Sequence, residues 1–445
     1  FSFKVYYGMD YHQGARAEDA PFSIGSDIPG VASAGEVNNS LAGRSNGAYR
    51  GQPRYKLHLT LYSGEFETWL RFTSGGKNTQ GGSIVWDLTG QPIDAFVHHG
   101  YRELTWMNRY TYEVNSELST VFNFAYQEYN TLVDFEDLGY FAYGEREYLF
   151  RNLWQWEASE DHSVAFGGEV TLDFFGETPR FFSGESFDVP NLDKSWNSRT
   201  YSLFGESQYR ATDDFVIISG ARIDRPEFSK TLFSPRLAFL WQRDEDEMYK
   251  LLLGRSVRKA NDYDLRRSDL QGNEGDVETH DSIELIQEKK WSESLSSLFS
   301  VHYYQLDFIS FDPSVDKNVQ QGQTEALGLS CKLTYEEDGR LLSVSHSYTK
   351  LLNLSFRDPL SSQVFSSEPY GYGDDLANWS NHITKFYLRQ DLTKNWSLDS
   401  SLRIFWGFPG GEDQAQYNRE VNGDSPFFPQ ADGDDKAFDP SYYFD

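Results

Sequence analysis

The stretch RELTWMNRYTYEVN at Arg102–Asn115, with LSTVFNFAYQEY at Leu118–Tyr129, decides the fold of this chain. In the first segment, bulky apolar side chains alternate with charged or hydroxyl-bearing ones. Successive strand residues point to opposite faces of a sheet, so this alternation predicts a strand with one apolar and one polar face. The apolar set is Leu104, Trp106, Tyr110, Tyr112 and Val114, and the polar set is Glu103, Thr105, Arg109, Thr111 and Glu113. The polar turn near Ser116 predicts a hairpin.

Hairpins of this design recur from end to end, beginning with a strand at Phe1. The other predicted pairs are Tyr55–Tyr62 with Phe66–Thr73, Arg146–Glu157 with Val164–Phe174, Thr200–Arg210 with Phe215–Asp224, Leu232–Gln242 with Met248–Arg258, Ser282–Lys289 with Leu298–Phe308, Thr324–Tyr335 with Leu341–Tyr348, and His382–Asp391 with Trp396–Trp406. Tight polar turns alternate with longer polar loops. About seventeen long strands joined in this way predict an all-β fold, a large antiparallel transmembrane β-barrel. Its short turns would face the periplasm and its long loops the cell exterior.

Composition agrees with a wall in which only alternate residues meet lipid. Hydrophobic residues make up 38% and aromatic residues 16% of the chain, and no run of about twenty apolar residues predicts a helical span. The net charge of −28 argues against a nucleic-acid partner, because phosphates would be repelled. The acidic residues concentrate in turns and loops such as 244–247 and 432–435, where they solvate the loops or, alternatively, bind divalent cations.

Residues 1–445 are predicted to form one barrel domain. An odd strand number would leave unpaired edges in lipid, and Pro440–Asp445 reads as the start of another strand. We therefore expect the barrel to be incomplete at both ends. The single cysteine, Cys331, excludes an intramolecular disulfide and shares an apolar strand face with Leu329 and Leu333. It is predicted to be a small buried or lipid-facing residue.

Three segments resemble the barrel of TonB-dependent outer-membrane receptors. SGARID at Ser219–Asp224 is similar to a strand ending of that family, and FSPRLAFLW at Phe233–Trp241 is similar to a strand start. KLLLGRSVRKAN at Lys250–Asn261 is similar to a third conserved segment. The order and spacing of the motifs hold over roughly Thr200–Gly407. TEALGL at Thr324–Leu329 also resembles the family, although Ser330 stands where a glutamate is usual.

The resemblance implies a 22-stranded barrel in the outer membrane, in contact with lipid and lipopolysaccharide. It implies a receptor for active uptake of a scarce bulky solute, most often an iron–siderophore complex, with glycans or cobalamin as alternatives. A plug domain would couple the barrel to the TonB complex, but no plug occurs in these 445 residues. A surface accessory protein is a further expected partner of some such receptors. No cofactor is implied.

Four charged residues of the matched strands fall on the polar face: Arg222, Asp224, Arg236 and Arg258. Arg or Lys facing lipid at mid-membrane costs about 2–4 kcal/mol, so these side chains should point into the lumen. They would form ion pairs across the wall or with a plug. Arg258, at the loop-side end of its strand, is also a candidate for direct ligand contact.

Aromatic side chains are concentrated in two long loops. We predict that Phe187, Trp196, Tyr370, Tyr372 and Trp379 contact a planar or amphipathic ligand. The alternative is that these rings pack the loops together or belong to the interfacial girdle.

The sequence gives little support for catalysis. The adjacent pair His98 and His99 is expected in a loop without further metal ligands, and the other histidines lack zinc-ligand spacing. Nucleophile-elbow, P-loop and dinucleotide motifs do not occur in a suitable context. The chain is predicted not to be an enzyme. The rival hypotheses are a plugless passive porin or structural barrel of a surface complex, and a soluble all-β binding protein with strands about half as long.

Overall fold

The computed structural model describes residues 1–11, 15–16, 45–46, 48, 51–80, 85–86, 92–93, 96–135, 139–177, 195–312, 317–356, 379–410 and 440–444. The strands in chain order are β1 Ser2–Asp10, β2 Ala15–Arg16, β3 Ser45–Asn46, β4 Arg54–Ser63, β5 Phe66–Gln80, β6 Val85–Trp86, β7 Pro92–Ile93, β8 Phe96–Glu113, β9 Leu118–Phe135, β10 Gly139–Ser159, β11 His162–Glu177, β12 Trp196–Thr212, β13 Phe215–Pro226, β14 Leu232–Asp244, β15 Glu247–Arg258, β16 Glu278–Lys290, β17 Leu295–Asp312, β18 Lys317–Glu337, β19 Arg340–Phe356, β20 His382–Thr393, β21 Trp396–Trp406 and β22 Ser441–Phe444. The helix α1 spans Asp262–Leu270.

Eighteen of these strands belong to one sheet, and the short pairs β2–β3 and β6–β7 form two small ones. The chain divides into two compact units, described separately below. Unit 1 comprises residues 1–155 and 167–203, and unit 2 comprises residues 156–166 and 204–445. No helix among the described residues is long and apolar enough to cross a membrane.

In unit 1, strands β1, β4, β5, β8 and β9 pair antiparallel in that order. The β8–β9 hairpin places Trp106 opposite Tyr126 and Tyr110 opposite Phe122. Its turn forms because the Asn115 side-chain oxygen accepts two backbone N–H groups, from Glu117 and Leu118, each at 2.8 Å.

The two faces of this hairpin differ as the alternation predicts. Trp106 and Tyr110 are each 44% exposed, whereas Thr105, which precedes Trp106 and points to the other face, is 8% exposed. The Trp106 and Phe124 rings meet edge to face at 5.7 Å on the exposed side. Large aromatic rings lining an exposed sheet face are what a lipid-facing wall requires.

In unit 2, strands β13 to β22 pair consecutively and antiparallel. Odd-numbered residues of β13–β18 line its apolar face. Exposed members of that face are Ile223, Phe233, Trp241, Ile283, Leu285, Phe299, Leu327, Leu329 and Leu333. Even-numbered residues line the opposite, polar face.

All seventeen predicted strands are present, and β22 supplies the strand start expected after Pro440. The predicted ends fall short on the loop side of several strands, including β5, which ends at Gln80, β8, which begins at Phe96, and β19, which ends at Phe356. Strand β9 ends at Phe135 and β10 begins at Gly139. Strand β17 ends at Asp312 and β18 begins at Lys317. Long loops were expected between both pairs of strands. The strands extend because backbone pairing continues beyond the alternating apolar band, into residues whose composition reads as loop.

His98 and His99 also lie in a strand, β8, and not in a loop. Their side chains therefore point to opposite faces, and the pair cannot hold one metal ion between them. His98 Nδ1 lies 2.7 Å from Asn78 Oδ1.

The turn between β12 and β13 gives a pH-dependent prediction. The Thr212 hydroxyl donates a 2.5 Å hydrogen bond to Asp214 and holds the pKa of that carboxyl below its ordinary value of 3.8. The ionised carboxylate thus stabilises the fold above about pH 4, and this stabilisation is lost as the pH falls through the folded-state pKa. Thr212→Val should lose less stability on acidification than the wild type, measured as urea midpoints at pH of about 6 and about 3.

The matched control for this turn is Thr393→Val. The Thr393 hydroxyl accepts a backbone N–H from Asn395 and touches no carboxylate. Its acid dependence should equal that of the wild type, and an equal change in both variants would contradict the role given to Asp214.

Candidate ligand-contact face

Strand register brings the three arginines of the matched motifs to one face of unit 2. Arg222 lies opposite Ser234, Arg236 lies opposite Gly220 and Gly254, and Arg258 lies opposite Glu278. All are even-numbered positions of the polar face, as the sequence predicts. Because antiparallel strands alternate in direction, Arg258 stands at the loop-side end and Arg236 nearer the middle of its strand.

Each of these arginines contacts a carboxylate. Arg222 Nε lies 2.8 Å from Asp224 Oδ1, and the Arg222 guanidinium lies 5.7 Å from the ring centre of Phe204. Asp224 is 8% exposed. A carboxylate this buried requires a charged partner, so the pair holds the strand ending in one conformation.

The Arg236–Glu206 ion pair spans three strands. Arg236 on β14 reaches across β13 to Glu206 on β12, and it passes over Gly220 on the way. A Cβ atom added at Gly220 would lie 3.2 Å from Arg236 Nε. Glycine at this position therefore leaves the space for the arginine side chain.

Arg258 forms a two-pronged pair with Glu278, at 2.6 Å from Nε and 3.0 Å from Nη2. The arginine side chain is 75% exposed, whereas the glutamate side chain is 13% exposed. Of the three arginines, Arg258 therefore has the most surface available for a further contact.

A stack of three rings lies on the polar face of β16 and β17. The Tyr304 ring centre is 5.3 Å from that of His280 and 6.4 Å from that of His302. The His302 ring leans over Gly328 of β18, where an added Cβ would lie 2.1 Å from Nε2. This stack offers a flat aromatic surface of the kind that aromatic ligands contact.

The helix α1 begins at the loop-side end of β15. Asn261 caps it, because its side-chain oxygen accepts the Asp264 N–H at 2.9 Å. Lys259 Nζ lies 2.9 Å from Asp262, which adds negative charge at the helix start.

The helix packs into a compact loop cap, defined here by Ser229, Leu265, Gly275 and Asn318. All except Gly275 are at most 1% exposed. Ser229 bridges to Gly275, and the Asp276 N–H donates to the Asn318 carbonyl at 3.1 Å. The cap joins residues 226–232, 258–278 and the start of β18, so this part of the loop side is rigidly packed.

Two of the five aromatic residues predicted to contact a ligand lie in the part of the chain that the structure describes. Trp196 begins β12 in unit 1 and is 9% exposed, and nearby Ser198 donates to Asp173 at 3.2 Å. Trp379 is half-buried just before β20 in unit 2. Phe187, Tyr370 and Tyr372 lie outside the described residues. The ligand-binding role of all five residues stays a prediction.

Among the residues that the structure describes, no group of three or more His, Cys, Asp or Glu side chains is arranged to hold a metal ion.

The fold resembles that of several solved structures. The FrpB iron transporter from Neisseria meningitidis matches with a TM-score of 0.62 and 11% identity, over 91% of this chain and 66% of that chain. A mutant ferric enterobactin receptor, PfeA from Pseudomonas aeruginosa, in complex with enterobactin, matches with a TM-score of 0.63 and 14% identity, over 91% and 63%. The ferric-catecholate import receptor Fiu from E. coli K12 matches with a TM-score of 0.56 and 10% identity, over 81% and 64%.

The chain therefore has the barrel fold of TonB-dependent outer-membrane receptors. At these identities the likeness shows the fold, and the chain spans slightly under two thirds of each structure. These three structures are those of transporters and receptors. No family model and no curated protein matches the sequence.

The sequence did not predict the ring stack or the loop cap. His280, Tyr304 and His302 occupy alternate strand positions on the polar face, which is a usable signal once the register is known. Gly220 and Gly328 leave space for the Arg236 and His302 side chains. This role cannot be predicted from the sequence, because it depends on which residues of the neighbouring strands lie beside each glycine.

Proposed function

We propose that this chain forms the main barrel wall of an outer-membrane receptor for active uptake of a scarce bulky solute. Iron–siderophore complexes are the first substrate class to test. The observation that carries the proposal is the fold match over 91% of the chain to structures described as an iron transporter and a ferric enterobactin receptor. Coupling to the TonB complex through a plug domain is part of the proposal.

The polar face supports a binding role. Arg258 and the ring stack of His280, Tyr304 and His302 provide an exposed cation and flat rings on one face of unit 2. Ferric catecholates are anionic and carry planar rings, so both features match that chemistry. The solute would be captured at the loop side and held by polar groups of the wall.

Uptake of ⁵⁵Fe-labelled enterobactin by iron-starved cells tests the proposal. Cells expressing the complete gene should accumulate iron with saturation, and both gene disruption and an uncoupler of the proton-motive force should abolish the accumulation. A passive porin would instead admit small sugars both with and without the uncoupler, and it would not concentrate ferric enterobactin in the cell. That second outcome would replace the proposal with the porin hypothesis.

The soluble binding module is disfavoured by strand length. Strands β10 and β18 are each 21 residues long, whereas a soluble module of the expected kind needs about half the length. Its exposed rings, including Trp106 and Tyr112, would also lack a partner in water.

Arg258→Gln gives a residue-level prediction. Loss of one charge-assisted contact should weaken ferric enterobactin binding about tenfold or more. The control is Lys332→Gln, on the polar face of β18 and five residues from its turn-side end at Glu337. Equilibrium binding to purified protein should separate the two variants, and equal affinities would remove Arg258 from the ligand site.

A further inference from the structure

A cluster of charged and aromatic side chains lies on the apolar face of unit 2, at the turn-side ends of β14–β16. The turn-side cluster is defined as Arg243, Glu247, Tyr249, Gln287 and Lys289. Glu247 faces Lys289 across the β15–β16 ladder, and Tyr249 faces Gln287. The cluster therefore shares a face with the exposed residues Ile283 and Leu285, which lie on the same strand as Lys289.

The carboxylate of Glu247 organises the cluster. Its Oε2 atom lies 2.8 Å from Arg243 Nη1 and 3.5 Å from Lys289 Nζ. Its Oε1 atom accepts the Tyr249 hydroxyl at 2.8 Å and also the Gln287 amide. Glu247 is 3% exposed, whereas the Arg243 side chain is 55% exposed. One carboxylate thus fixes two cations. The adjoining turn also carries Asp244, Glu245 and Asp246.

Aromatic rings frame the two cations. Trp241 stacks on Tyr249 with ring centres 5.5 Å apart, and Lys289 Nζ lies 4.5 Å from the ring centre of Trp291. Trp and Tyr mark the boundary between hydrocarbon and head groups in membrane proteins. Leu285 to Lys289 is about 13 Å along a strand, so the cations lie just below the apolar band, at head-group depth.

We propose that the turn-side cluster binds the phosphate group of a glycerophospholipid in the membrane leaflet on the turn side. The two fixed cations select this occupant, because a neighbouring Arg and Lys can both bind one phosphate and the nearby Ile283 and Leu285 match acyl chains. A lipid bound here would fix the depth of unit 2 in the bilayer. The proposal rests on the membrane-spanning fold and is independent of the uptake function.

Native mass spectrometry of the full chain in detergent tests the site, with dioleoylphosphatidylglycerol as the probe. Lys289→Gln should weaken binding about fivefold, and Arg243→Gln combined with Lys289→Gln about 25-fold. Lys290→Gln is the matched control, since the adjacent lysine points to the opposite face of β16. Each variant is first checked for folding by circular dichroism, and the single variant decides the question if the double one fails to fold.

Two further probes separate the lipid from a simpler anion. Dioleoylglycerol, which lacks the phosphate, should bind weakly, with the same affinity for the wild type and for every variant. Inorganic phosphate should not displace the lipid at equal concentration. Equal lipid affinity in wild type and Lys289→Gln, an equal loss in Lys290→Gln, or displacement by inorganic phosphate would each overturn the proposal.

Discussion

Leu329→Arg is expected to destabilise the folded protein in a bilayer by about 2–4 kcal/mol, because it places a charge on a lipid-facing wall. Leu329 lies in the middle of the apolar band of β18 and is 41% exposed. In a soluble protein, a charge at a position this exposed would cost little. Reversible unfolding by denaturant in lipid vesicles measures the difference directly.

Ser330→Arg is the control on the same strand. Ser330 points to the polar face, where its hydroxyl lies 2.7 Å from that of Ser300. The variant loses one hydrogen bond, at a cost of about 1 kcal/mol. Equal costs for the two neighbours would mean that the faces of β18 do not meet different solvents.

Gly322→Ala is the second substitution with a large expected effect, a loss of about 1–3 kcal/mol or more from overpacking. A Cβ atom at Gly322 would lie 2.2 Å from the backbone oxygen of Ser355 and 2.5 Å from Phe308 Cζ. A backbone atom cannot rotate away as a side chain can, so β18 and β19 must separate locally. The unfolding midpoint in the same lipid system reports the loss.

Gly254→Ala supplies the contrast. The nearest atom to an added Cβ there is Ser282 Oγ, at 3.9 Å, and the backbone does not require glycine. Alanine should leave stability unchanged or raise it by up to about 1 kcal/mol, since it restricts the unfolded chain. A loss as large as that of Gly322→Ala would show that strand glycines act through the backbone alone.

The sequence predicts those parts of the fold in which apolar and polar side chains alternate along a strand. On β8, Trp106, Tyr110 and Tyr112 are exposed on one face, and the predicted strand is found in place. In the loop-side extensions to Phe135 and Asp312, apolar residues no longer keep to every second position, as the neighbours Leu132 and Val133 show, so alternation gives no signal there. Strand existence is therefore predictable, and strand ends outside the membrane are not.

The candidate site was predictable only in part. The alternation along β13–β15 predicts that Arg222, Arg236 and Arg258 share a face, and the strand register has them on one face. That this face lines the lumen stays a prediction. The partner of Arg236 could not be named, because Glu206 lies two strands away and the contact depends on the missing side chain at Gly220. Alternation tells which face a residue occupies, whereas ion pairs between strands depend on register.

The residues that would set ligand selectivity differ from those that form the barrel wall. The lipid-facing band and the paired charges of the polar face are requirements of any such barrel. Selectivity would be set at the loop side, where Arg258 is exposed and the loop cap around Leu265 is packed. Substitutions there should alter binding, whereas substitutions in the apolar band should alter stability.

The most direct test of the account uses Cys331, the single cysteine, which is exposed on the apolar face of β18. A nitroxide spin label at Cys331, in protein reconstituted into a bilayer, should collide freely with dissolved oxygen and little with a water-soluble nickel chelate. Ser330→Cys in a Cys331→Ser background should show the reverse. A label at Cys331 that is open to the nickel chelate, or shielded from both reagents by protein, would contradict a lipid-facing wall.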